Sequence, residues 1–155
     1  MKTDFFIILF VILLIFSLFF VSIFSSSPKP SKQITIQTGQ KSVIVNAEIA
    51  DTFFSKMKGL MGRNSLGTND GMLFVFDKPD YYSFWMMNTT IPLDAIFISE
   101  NGSVVDIITM PPCKSVISCP SYKPKEKALY VLEVNAGFSE QNGISINKST
   151  VDIQK

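Results

Sequence analysis

The sequence predicts a mainly β protein: a small β-sandwich or barrel-like domain with one short helix, preceded by a single N-terminal transmembrane helix. Three observations predict it. Short runs rich in β-branched residues recur between Gly, Pro and Asn turn signals from Ile34 to Ile153. A single stretch, Asp51 to Gly62, spaces its apolar residues at a helical period. Phe5 to Phe24 is an unbroken run of Phe, Ile, Leu and Val with two serines.

That run has twenty residues, and at about 1.5 Å per residue it is long enough to cross a hydrocarbon core roughly 30 Å thick. A cleavable signal peptide has a shorter apolar region, about 7 to 15 residues, followed by a small-x-small cleavage site. Here the only such pair, Ser25 and Ser27, would leave Pro28 just after the cut, so an uncleaved anchor is expected. Residues 1–27 therefore read as the anchor, 28–33 as a Ser/Pro/Lys linker and 34–155 as the domain. Lys2 on one side nearly balances Lys29 and Lys32 on the other. The cysteines decide the orientation: a bonded pair persists mainly in oxidising compartments, which places the domain outside the cytoplasm.

Within the domain, Ile34–Thr38 and Ser42–Ile49 flank a Gly39-Gln40 turn and read as a hairpin. From Asp51, the expected N-cap, Phe53, Phe54, Met57, Leu60 and Met61 recur at helical spacing until Gly62 stops the helix after about two or three turns. Met72–Phe76 lacks alternation, which suggests a strand buried on both sides. Phe84–Asp94 reads as a strand, a turn at Asn88–Thr90 and a corner at Pro92, leading into the strand Ala95–Ile98. Asn101-Gly102 predicts a type I′ hairpin to Val104–Ile108. Pro111–Lys127, with four prolines and both cysteines, is irregular. Ala128–Val134 is a strand, Ala136–Gly143 holds a helical turn and Val151–Ile153 closes the sheet.

The chain has 155 residues, enough for one domain with a core, and carries 14 Lys and Arg against 13 Asp and Glu. A net charge of +1 gives no field to attract nucleic acid. Histidine is absent, which removes the commonest general base and every Ser-His or Cys-His nucleophile arrangement. With two cysteines and no histidine, a closed zinc site lacks ligands, so no metal or other cofactor is called for. Cys113 and Cys119 are expected to bond to each other, closing a loop of about seven residues worth roughly 2 kcal/mol. Asn88, Asn101 and Asn147 each begin an Asn-x-Ser/Thr triplet, but such triplets also arise by chance.

Four blocks carry a resemblance. Gly59–Arg63, Gly71–Phe76, Phe84–Asp94 and Val131–Gly137 resemble the uncharacterised prokaryotic family called domain of unknown function 192, and their order and spacing match it over most of residues 34–153. The resemblance implies a compact, mainly β domain, often exported or membrane-attached, with no established activity. It also implies a lysine where Met87 stands and a Gly-Asp pair where this chain has Asn147-Lys148.

Candidate site residues come from the same blocks. Trp85, Met86 and Asn88 form the expected binding rim, and Asp94, Arg63 and Glu133 complete a candidate ligand site. Arg63 is the only arginine, and its planar fork suits one carboxylate. A structural bridge from Arg63 to a buried Asp94 or Glu133 is the favoured reading, with an anchor for an anionic ligand the alternative. Trp85 offers a flat face for stacking, although large aromatics more often fill cores. Asp94 and Glu133 as the acid and base of a hydrolase form a weaker reading, since their separation is invisible in sequence. Asp106 reads as solvent-facing. The expected partners are the membrane, through the N-terminal helix, and an unknown small ligand or envelope protein, with a structural role in envelope assembly as the rival function.

Overall fold

The computed structural model describes residues 31–39, 41–113 and 118–153. The expected anchor, Phe5–Phe24, lies outside the described residues. Among the described residues no helix is long and apolar enough to cross a membrane.

Among the described residues nine strands and two short helices follow in chain order: β1 (Ser31–Thr38), β2 (Lys41–Ala50), α1 (Phe53–Lys58), β3 (Asp70–Asp80), β4 (Phe84–Trp85), β5 (Leu93–Ile98), β6 (Val104–Met110), β7 (Ser121–Tyr122), β8 (Ala128–Asn135), α2 (Phe138–Gln141) and β9 (Ser149–Asp152). Seven strands form one sheet in the order β6-β5-β8-β3-β2-β1-β9, while β4 and β7 pair as a separate ribbon. All neighbours in the large sheet are antiparallel except β2 and β3, which run parallel through a crossover containing α1.

The sheet curls so far that its edges meet. Ser103 bridges Thr150, the Val151 N–H donates to the Gly102 carbonyl at 2.8 Å and the Asn147 N–H donates to the Val104 carbonyl at 2.9 Å. The architecture is therefore a curled half-barrel rather than a sandwich of two facing sheets. Side chains alternate between its two faces. One face gathers Ile34, Ile36, Val45, Leu73, Ile96 and Leu132, closed at one end by Phe138 of α2. The other gathers Met72, Phe74, Phe84, Leu93, Phe97 and Val131. Successive residues Met72, Leu73 and Phe74 enter opposite cores, which is why this strand shows no polar alternation.

Three local expectations change. The N-cap is Thr52, whose side chain and that of Ser55 form a reciprocal capping box, and the helix ends at Lys58 before Gly59 at φ 47°. The Asn101-Gly102 hairpin is not type I′, because only Gly102 has positive φ, at 84°. The Gly102 N–H bonds to the Ser99 carbonyl, while Asn101 Oδ1 accepts from Ser99 Oγ and the Ser103 N–H; Asn101 thus organises the turn through its side chain. Glycine is required at 102 for a second reason, since a Cβ there would sit 2.6 Å from the Val151 carbonyl oxygen at the seam. Asp106 is buried rather than solvent-facing, its carboxylate accepting from the backbone N–H groups of Ile107 and Lys125 and so holding the proline-rich segment to β6.

Candidate functional site

The Phe84–Asp94 stretch is tied down from two sides. The Gly62 N–H donates to the Asn88 carbonyl and Thr90 Oγ1 donates to the Arg63 carbonyl, both at 2.9 Å, joining it to the turn after α1. On the other side Thr89 bridges Cys113, which is disulfide-bonded to Cys119 as expected. Asn88 adopts φ 51° at the corner, a left-handed conformation that asparagine tolerates better than most residues. The stretch is a fixed corner that turns Trp85 outward and Met86 inward: Trp85 is 51% exposed and Met86 only 1%.

Beneath Trp85 lies a cavity of about 30 Å³. Phe74, Phe84 and Glu133 line its depth, Leu60 and Met61 form a wall, and the exposed Met57, Lys58 and Trp85 stand at its mouth. Room of this size admits one small polar group. Glu133 is 4% exposed, and among the described residues its carboxyl has no hydrogen-bonding or ionic partner. Burial pushes its pKa from 4.5 up to about 8, because an apolar surrounding penalises the charged form. At neutral pH the group is mostly a neutral acid, able to donate one hydrogen bond into the cavity.

The other candidates do not converge on it. Arg63 pairs with Glu48 on β2, at 2.6 Å to one carboxylate oxygen and 2.7 Å to the other. This corrects the expected bridge to Asp94 or Glu133: Arg63 follows α1 at the β2 side of the sheet, and both partners remain partly exposed, at 28% and 21%. Asp94 is buried, yet it faces the opposite core. Ala95, not Asp94, stands across from Glu133 in the β5–β8 ladder, so the period of two sends the two carboxyls to different faces. Asp94 instead accepts from Thr109 Oγ1 at 2.8 Å and from the Ser139 N–H at 3.1 Å, docking the start of α2 onto the sheet. The paired-carboxylate hydrolase loses its geometry. Met86 fills the core under the corner, and the exposed Asn88 contributes its backbone carbonyl.

Met57 and Thr89 line the cavity without having been singled out from sequence. Among the larger hollows, two of about 590 and 710 Å³ are open and lined by exposed or half-exposed residues such as Lys41, Gln141, Ser99 and Lys127. Neither contains a candidate residue or a buried polar group. Among the described residues no three acidic or cysteine side chains gather as a metal site.

The fold recurs in solved structures. A crystallised protein of unknown function from Novosphingobium aromaticivorans shares 30% identity and a TM-score of 0.74, over 83% of this chain and 89% of its own. A crystallised candidate transcription regulator from Sinorhizobium meliloti shares 26% identity and a TM-score of 0.73, over 83% of this chain and 97% of its own. No curated protein matches the chain. The profile of DUF192, described as uncharacterized ACR, matches residues 34–151, and the chain belongs to that family.

Proposed function

We propose that this protein is a single-pass, membrane-anchored binding module with its domain outside the cytoplasm, and that its site is the cavity beneath Trp85. One observation carries the binding reading: a buried carboxyl without a partner opens into a cavity lined by Leu60, Met61, Phe74, Phe84 and Trp85 together with Lys56, Lys58 and Thr89. A protein interior ordinarily pairs such a group or replaces it with a hydrophobe. Glu133 interrupts the apolar run Ala128–Val134 without making a structural bond, so its role is to meet a visiting group. The cavity's size limits that group to a small head, a hydroxyl or carbonyl oxygen that accepts from the neutral acid, while the rest of the ligand lies against Trp85 and Met57 at the mouth. The twenty-residue apolar run supports the anchor, and the Cys113–Cys119 bond supports an oxidising location.

The test is native mass spectrometry of the full chain released gently from its own membranes, comparing wild type with Glu133→Leu. A small-molecule adduct present on wild type and missing from the variant is the expected result. Adducts equal on both, or absent from both, would count against a site at Glu133.

A further inference from the structure

Helix α1 buries none of its side chains. Phe53 and Phe54 are 72% and 74% exposed, Met57 is 50% exposed, and the two rings meet edge to face with centroids 5.5 Å apart. Trp85 shares the cavity mouth with Met57, so the apolar surface continues from the helix onto the corner. These side chains are presented on an ordered element. The capping box fixes the start of α1, and Lys56 Nζ donates to the Val75 carbonyl at 2.8 Å while lying over the Phe76 ring. Large exposed apolar patches of this kind mark interaction surfaces.

The position of the patch points to its occupant. Ser31 pairs with Glu48 in the β1–β2 ladder, and β2 continues only to Ala50 before α1 begins at Phe53. The chain therefore enters the sheet at the end from which α1 departs. The apolar run ends at Phe24, leaving six residues before Ser31, and six extended residues span about 20 Å. The charges agree with this placement, since Lys58 lies on α1 itself and Lys29 and Lys32 in the adjoining sequence, against Asp51 just before the helix. Aromatic rings flanked by lysines suit the headgroup layer, where the rings sink while the ammonium groups stay at anionic lipid.

We propose that Phe53, Phe54, Met57 and Trp85 form a docking surface that inserts into the headgroup region of the bilayer holding the N-terminal run, turning the mouth of the Glu133 cavity toward lipid. The proposal rests on the anchor reading for its proximity to the membrane, and the experiment separates the two. Trp85 is the only tryptophan, so its emission reports the surface directly. The full chain is reconstituted in phosphatidylcholine vesicles, with and without phosphatidylglycerol, and with lipids brominated on the upper acyl chain. Docking predicts blue-shifted emission, quenching by the brominated lipid that increases with phosphatidylglycerol, and loss of quenching in Phe53→Ser/Phe54→Ser, whose fold is checked by circular dichroism. Alkaline extraction of the same vesicles reads the anchor alone. Unquenched Trp85 on a chain that resists extraction would overturn docking and leave the anchor standing. Quenched Trp85 on a chain that extraction strips away would support docking and overturn the anchor. Quenching unchanged in a folded double variant would overturn the role of α1.

Discussion

Replacing Glu133 with Gln tests the buried acid through its pH dependence. In the unfolded chain this carboxyl ionises near 4.5, whereas in the folded protein it does so near 8. Between those values the folded state holds a proton that the unfolded state has lost, so stability falls as pH rises. It is unaffected below about 4.5, declines through the window at about 1.4 kcal/mol per pH unit, and levels off above about 8. Over the whole window the loss comes to about 5 kcal/mol, and by pH 7 about 3 kcal/mol has gone. Against a typical domain stability of about 5 to 15 kcal/mol this is a large fraction. Glutamine keeps the shape and a donor while removing the titration. Urea unfolding of residues 30–155 at intervals from pH 5 to pH 8 should therefore show wild type and Glu133→Gln close together at pH 5 and separating steadily, with the variant the more stable at pH 8. Other titrating groups affect both proteins alike and cancel in the difference. Parallel curves across the window would refute the reading of Glu133 as a neutral, unpaired acid.

Arg63→Ala should cost less than about 1 kcal/mol in the same unfolding assay, because the Glu48 bridge is partly exposed and screened; a loss of about 3 to 5 kcal/mol would instead indicate a buried charge left alone. Asp94→Ala should cost about 2 to 4 kcal/mol, since it removes both bonds that hold Thr109 and the start of α2, and amide exchange at Ser139 should accelerate. Cys113→Ser/Cys119→Ser should lose about 2 kcal/mol by releasing a short loop, whereas peptide mapping without reduction should recover the bonded pair from wild type. Protease added to right-side-out membranes should trim the domain, and protection there with sensitivity only after lysis would reverse the orientation.

The strands were legible because β-branched runs and Gly, Asn and Pro punctuation act locally, and β1, β2, β5, β6 and β8 fall close to where those signals place them. The strand pattern left a sandwich and a barrel-like form both open, since the choice between them depends on contacts between Gly102 and Val151, which are far apart in the chain. In α1 the helical period locates the helix but does not say which way its apolar residues face: the same spacing of Phe53, Phe54 and Met57 would describe a core-facing stripe, and only the tertiary placement shows it facing outward. Glu133 stood out as a lone acid in an apolar run. Whether Asp94 could join it depended on a register in which a shift of one residue exchanges faces. Arg63 illustrates the same limit, because its partner Glu48 sits on a strand joined to it by the crossover rather than by any local pattern.

The seam between Gly102 and Val151 bears on how the protein behaves in a crowd. An open sheet ends in two rows of unpaired donors and acceptors, and either row can recruit a strand from another molecule. Here the outermost strands, β6 and β9, are turned toward each other, and the contacts at Ser103–Thr150, Val151–Gly102 and Asn147–Val104 occupy part of both rows. A bulky residue at 102 would force the Val151 strand away, and its chief effect would be to open two sticky margins at once. Such a chain would stay folded within each molecule and still pair edge to edge with another, so the glycine limits strand recruitment at the seam as much as it sets the shape.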